Sequence, residues 1–549
     1  MRALVRTRGR LEGSAAYFNS PTGRSGNRRS RLEKPVRHGK AVKLSPSLYG
    51  MIVYPGTTER NGKDMTQEPA RQERKNGDGP AGSFFDRTLD QLRAAWEEVA
   101  ESARHAVTGA PRPDLSDDDS ARLKERIQAC IDAVGGEVSA RALAAEIGGT
   151  YLRLNETGRE RFLRVLATDF GVDRDAVDAA VTRLGDAPDL DGRRREEAAL
   201  RRALQAPRIA LLTQFNGLPE GVKFLVDMRA ELLRLRRKDS AFAPLEGDLK
   251  ELLAYWFDIG FLELRRITWD SPASLLEKLA TYEAVHVIES WQDLKNRLES
   301  DRRLYAFFHP HMPEEPLIFV EVALVDGMAD SVQELLDLDG PQIDPRAADT
   351  AIFYSISNAQ AGLAGISFGG FLIKRVADAL SDELKNLKTF ATLSPIPGFR
   401  RWLTERAEDD EADALLRRED RKALAMLSPP VEDVAALCDL LERQNWHRDE
   451  AALLALRGPL THLCAHYLLK ARRESGRTRD PVANFHLTNG ARAERLNWLG
   501  DRSERGLSQS HGLMINYLYR LGEIEANSTA YLTDRKIAKS SPMRALAHG

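Results

Sequence analysis

The sequence predicts an α+β protein, with an all-helical first half and a second half that mixes short strands with helices. Three observations carry this reading. From Ser83 to about residue 250, apolar residues recur at intervals of three and four with no strand-like alternation. After about Leu252, short β-branched or aromatic runs appear, bounded by Pro, Glu and Asp. Over 350–394 a strand, a glycine-rich loop, a helix and a second strand follow one another. At 549 residues the chain exceeds one compact unit, for which ~100–200 residues is usual, so three segments are drawn at 1–82, 83–250 and 251–545.

In the helical segment, Phe85, Leu89, Leu92, Trp96 and Val99 share one helix face. Ser116 followed by three aspartates supplies an N-cap and an acidic first turn, and the stripe Leu123, Ile127, Cys130, Ile131 and Val134 runs on to Gly135-Gly136. Cys130 in that stripe is packing, not chemistry. Further stripes lie at 143–147, 162–170, 176–184, 198–204 and 223–235. In the second half the expected strands are Leu304–His309, Pro316–Leu324, Thr350–Ser357 and Phe390–Ser394, with helix over 371–384 and again within 404–475. Apolar pieces at 483–487 and 512–519 close the chain.

Hydrophobic residues at 42% and charged residues at 30% are the proportions of a globular protein and exclude a wholly disordered one. No window approaches the ~18 consecutive apolar residues of a membrane helix. Three scattered cysteines exclude a disulfide scaffold and a paired-cysteine metal site, and indicate a reducing compartment. The formal charge of −2 averages two unlike parts. Residues 1–40 hold eleven Lys and Arg against two acids, whereas 65–549 carry a net −12, which argues against nucleic-acid binding through the body. The Arg-rich, acid-poor leader has three readings: an upstream extension before Met65, an organelle transit peptide, or a basic arm.

Gly362, Gly365, Gly369 and Gly370 lie between a strand and a helix N-terminus, where backbone N–H groups and the helix dipole can meet a phosphate. The spacing fits neither a P-loop nor a dinucleotide fingerprint, and a flexible turn is the competing reading. Ser394 ends the strand Phe390–Ser394 before Pro395-Ile-Pro-Gly398, a stiff loop that aims it at the strand's C-terminal end. It lacks the elbow motif of a nucleophilic hydrolase serine, so a plain strand terminator competes. His462 and His466 are four apart on a helix, but without an intervening Glu they read as packed or surface residues rather than metal ligands. His309 and His311 flank Pro310 in what reads as an exposed loop. His486 lies between an apolar piece and a polar turn, a loop position where its ring could face a cleft.

Several segments, in order, resemble the malonyl-CoA decarboxylase family: Trp256–Trp269, Glu283–His286, Asp349–Ser357, Gly362–Gly365, Gly369–Val376, Leu393–Phe399, Pro481–Gly490, Gly512–Tyr519 and Asn527–Thr529. They cover nearly all of the second half, while the helical half resembles the family more loosely. The resemblance implies an N-terminal helical domain used in oligomerisation, as a homotetramer, and a catalytic domain of N-acetyltransferase-like fold. It implies coenzyme A binding at Ala364, Gly365, Ile366, Ser367, Phe368, Gly369 and Gly370, although the family usually carries an acid where Ser367 stands. Ser394 and His486 match the family's catalytic pair, His486 as proton donor to an enolate and Ser394 as acceptor or relay. Asn484 and Tyr519 are candidates for lining the substrate. No metal or organic cofactor, nucleic acid or membrane is expected, and malonyl-CoA is the expected substrate. A coenzyme A-dependent acyltransferase and a non-catalytic acyl-CoA-binding module are the alternatives. The compartment expected is the cytoplasm, or the mitochondrial matrix if residues 1–40 are a transit peptide.

Overall fold

The computed structural model describes residues 84–101, 111–133, 137–257, 259–366, 372–409, 412–443 and 445–547. The leader, and Val134 to Gly136 at the end of the second helix, lie outside them. From Phe84 to Trp256 the described residues form helices and no strand. Local chemistry starts them, at Ser116 as expected and at three further caps that were not foreseen. Ser116 caps the Asp117–Asp132 helix by accepting from Asp119 N, and Asn155, Asp173 and Asp189 cap later helices in the same way. Trp96 is buried between Phe215 and Phe224, and its indole N–H donates to Pro219 O at 2.8 Å. Leu123, Ile127 and Cys130 are buried as their spacing implies. The last helix of this half, Ala243–Trp256, runs across residue 250, so the boundary drawn there falls inside an element.

The second half is built on a mixed sheet. Strands β1 (Glu263–Ile267), β2 (Arg302–Phe308), β3 (Ile318–Val325) and β4 (Thr350–Asn358) pair antiparallel in sequence order. The helix Leu372–Glu383 then crosses over to β5 (Thr389–Thr392), which is parallel to β4. The short β6 (Ser394–Pro395) and β7 (Arg492–Asn497) both pair with β8 (Met514–Leu518), which also meets β5. Strands β1 and β7 were not expected. Their sequences, ELRRI and RAERLN, are half or more charged, and each pairs with only one of the numbered strands.

One irregularity positions the site. β4 pairs with β5 only from Thr350↔Thr389 to Phe353↔Thr392, and Leu393 N then bonds Phe353 O. Past that point β4 continues to Asn358 on β3 alone, after a register shift at Glu321/Val322, while Ser394 turns to β8. Two parallel neighbours thus separate, and a split between parallel strands at their C-terminal ends is where α/β proteins admit ligands.

Candidate active site

Ser394 is the first residue of β6, two positions beyond Thr392 and so on the same strand face. It is buried, and its Oγ lies 2.8 Å from Thr392 Oγ1 and 3.0 Å from His486 Nε2. The ring's other nitrogen, Nδ1, is 2.8 Å from Tyr519 Oη. Thr392 Oγ1 in turn accepts from Tyr517 N at 3.1 Å. Tyr517 and Tyr519 are two apart along β8 and its continuation, and the Tyr517 ring stacks on the imidazole at 4.6 Å and 24°. The result is a buried hydrogen-bonded chain, Tyr519–His486–Ser394–Thr392. With Ser394 donating to Thr392, Nε2–H donates to Ser394, and Nδ1 accepts from the tyrosine hydroxyl.

Burial alone pushes His486 down to about 3, so the ring is neutral at physiological pH. The same burial pushes the Tyr519 hydroxyl well above its ordinary value, so it rests protonated. A neutral imidazole with a hydroxyl on each nitrogen can pass a proton along the chain without itself holding a charge.

His486 is not in a loop. It sits in the last turn of the helix Pro481–Thr488, which the sequence reading missed because eight residues are too few to show periodicity. Asp480 caps this helix, accepting from Ala483 N at 2.8 Å, and Pro481 holds its first position. Asp480 also accepts from Tyr467 Oη at 3.3 Å and from the Gly398 N–H. The carboxylate therefore ties the His486 helix to the loop that follows Ser394. Burial raises it to about 6 against these donors. At Gly398 a Cβ would fall 2.1 Å from Tyr467 Oη, which is why that loop needs glycine.

Asn484 does not join this group. It lies two residues before His486, on another face of the helix, and accepts from Tyr531 Oη at 2.9 Å. Thr392, Tyr517, Asp480 and Tyr467 escaped the sequence reading. Thr392 and Tyr517 were accessible to it in principle, each standing two strand positions from a residue already singled out. On β4 past the split, Ser355 Oγ donates to both oxygens of buried Glu283 at 2.8 and 2.9 Å, and Ser357 Oγ to one at 3.1 Å.

Of the expected coenzyme turn, Ala364, Gly365 and Ile366 are described, and Ser367, Phe368, Gly369 and Gly370 lie outside the described residues. The turn follows a 3-10 segment, Ala361–Leu363, and precedes the Leu372–Glu383 helix. Two bases on that helix are engaged: Lys374 with Glu525 at 3.3 Å, and Arg375 with Leu262 O at 3.0 Å. His462 is buried 2.8 Å from Asp420, and His466 stacks on Trp402. His309 is buried against Phe257, contrary to the exposed loop expected, because Met312 N folds the chain back on its carbonyl. Among the described residues no group of three or more His, Cys, Asp or Glu is placed to hold a metal, and no helix is long and apolar enough to cross a membrane.

The family model of the malonyl-CoA decarboxylase C-terminal domain matches residues 260–549, and that of the N-terminal domain matches 170–257. The mitochondrial malonyl-CoA decarboxylase of the goose Anser anser anser is 38% identical over 409 residues, 71% of this chain and 80% of the relative. That of Rattus norvegicus is 37% identical over 406 residues, 71% and 81% of the two chains. Among solved structures, malonyl-CoA decarboxylase from Rhodopseudomonas palustris superposes with a TM-score of 0.71 at 41% identity, covering 78% of this chain and 99% of its own. The Agrobacterium vitis enzyme gives 0.70 at 40%, covering 78% and 100%.

Proposed function

The chain belongs to the malonyl-CoA decarboxylase family, and on that premise we propose how its own residues convert malonyl-CoA to acetyl-CoA and CO2. It is a carboxy-lyase. The observation that carries the assignment of residues is the buried Ser394–His486 hydrogen bond where β4 and β5 separate.

Breaking the bond to the substrate carboxylate releases CO2 and leaves its electron pair as an enolate on the thioester. That charge must meet donors aimed at the thioester oxygen, and one such donor is worth ~3–4 kcal/mol. Ser394 Oγ–H is one candidate, exchanging Thr392 for the substrate. The α-carbon then takes one proton. His486 supplies it from Nε2, directly or through Ser394, while Nδ1 takes the Tyr519 hydroxyl proton in the same step so that the ring stays neutral; Tyr519 then regains a proton from water, the net source in each turnover. Burial, which disfavours a charged ring, supports a neutral imidazole as donor. The turn over 364–370 is assigned to the coenzyme phosphates. The reaction is assigned no metal or organic cofactor.

We further assign the helical part, with its end moved to Trp256, to oligomerisation as a homotetramer, for which light scattering on the purified protein is the test. The compartment assigned is the cytoplasm, with the mitochondrial matrix as rival because the goose and rat relatives are mitochondrial by name; cell fractionation and intact mass decide between them. For the chemistry, purified protein should release CO2 from malonyl-CoA with no acceptor amine present. Acceptor-dependent release of free coenzyme A without CO2 would indicate the acyltransferase instead. Simple binding without turnover would indicate the regulatory module.

A further inference from the structure

We propose that Asp480 is a positioning residue for the decarboxylation, a single carboxylate that holds Ser394 and His486 at bonding distance from each other. The proposal rests on the reading of those two residues as the reacting pair.

Ser394 and His486 stand on separate elements, and their 3.0 Å contact needs those elements kept in register. The loop after Ser394 has little with which to anchor itself. Pro395 and Pro397 have no N–H, so over 395–398 only Ile396 and Gly398 can donate. The Gly398 N–H goes to Asp480. The same carboxylate accepts from Ala483 N through Oδ1 at 2.8 Å and from the Val482 N–H, which fixes the first turn of the His486 helix. Its Oδ2 accepts at 3.3 Å from Tyr467 Oη on a third element, the helix Glu450–Lys470. A Cβ added to Gly398 would stand 3.6 Å from Oδ2, so that oxygen lies on the loop's side and Oδ1 on the helix's side.

Asp480 is fully buried, and the donors that lower its pKa are neutral N–H and O–H groups. A charge in such a place is unfavourable, and burial raises the carboxyl to about 6. Helix capping does not call for it, since Ser116 and Asn155 cap other helices without a charge. What the charge adds is a hold on several donors at once, because hydrogen bonds to an ionised acceptor are about twice as strong as neutral ones. Once protonated, the group gains an O–H among these donors, and its hold on the loop weakens. The groups facing it are Tyr467 and Cys464 on the Glu450–Lys470 helix, Tyr517 on β8, the adjoining Arg479, which pairs with Glu405, and His486 on its own helix. Burial raises the two phenols and the thiol and leaves His486 neutral, so Asp480 is the member of this group that titrates near pH 6.

The test is kcat and KM for malonyl-CoA from about pH 5 to 8.5. Wild type should lose kcat as pH falls through about 6, with KM little changed. Asp480→Asn keeps an amide oxygen to cap the helix but turns an N–H2 group toward the Gly398 N–H. We expect its kcat at pH 8 to be about tenfold lower or more, its KM within about twofold of wild type, and the acid limb to be gone. Tyr467→Phe removes a donor that lowers Asp480, so in that variant the limb should move to higher pH. A wild-type profile without the limb, a limb unmoved in either variant, a loss carried by KM, or an Asp480→Asn enzyme as fast as wild type overturns the proposal. Should Asp480→Asn not fold, the limb of Tyr467→Phe decides by itself. Ser394→Ala and His486→Asn separate the two levels of inference. If both turn over normally, the reacting pair is wrong and Asp480 falls with it. If they lose turnover while Asp480→Asn keeps it, the pair stands and Asp480 is excluded.

Discussion

The buried imidazole of His486 makes a prediction that can be measured without substrate. The ring is 3% exposed and its pKa falls to about 3, against 6.5 for a free histidine. Between these values the unfolded chain binds a proton that the folded one does not, so the residue's contribution to stability is intact above pH ~6.5 and lost as pH falls toward 3. At pH 5.0 the unfolded state is ~1.5 units below its pKa, which amounts to about 2 kcal/mol. Urea denaturation of wild type and His486→Asn at pH 7.5 and 5.0 isolates this contribution from every other titrating group. Acidification should destabilise wild type about 2 kcal/mol more than the variant. Equal losses in the two proteins would mean the folded ring accepts a proton normally. The donor would then be an imidazolium, and the neutral relay would be wrong.

Ser394→Ala and His486→Asn should each lower kcat by at least ~100-fold while malonyl-CoA still binds, as read by turnover and by calorimetric titration. Tyr519→Phe leaves Nδ1 of His486 without its partner, an omission worth ~1–3 kcal/mol; kcat should fall about 10- to 100-fold with KM near wild type, and an unchanged kcat would remove Tyr519 from the relay. Gly362→Ala forces the Ala361–Leu363 segment off Val226 O, so KM for malonyl-CoA should rise and the midpoint of thermal unfolding should drop. Asn484→Ala removes the acceptor of Tyr531 and should register as about 1 kcal/mol of stability in denaturant titration, with kcat within about twofold of wild type.

Much of the architecture was legible because it is written in local periodicity. The Ser116 cap, the Leu123–Ile127–Cys130 stripe and the alternation of strand, glycine turn, helix and strand over 350–394 each concern residues within a few turns of one another. The strand expected over Phe390–Ser394 ends instead at Thr392, and Ser394 opens the two-residue β6 beside the two prolines that cut it short. The misplacement of His486 has an equally local cause: its helix is short, begins with Asp-Pro, and carries apolar residues on no single stripe. Strands β1 and β7 were missed because half or more of their residues are charged where the strand pattern calls for apolar ones.

By itself, then, the sequence determined the helical first half, the strand–turn–helix–strand unit, the acidic body, and through its ordered motifs the family, and it singled out Ser394 and His486. Tertiary structure alone decided their partnership. Ser394 and His486 are 92 residues apart, and Tyr519 is 33 beyond the histidine. They meet because β8 pairs with both β5 and β6 and brings its two tyrosines to the imidazole. Arg229 and Gly362, 133 residues apart, meet across the two halves in the same manner. Contacts closed over such distances have no period in the chain, and the shift that makes His486 neutral arises only from the burial they produce.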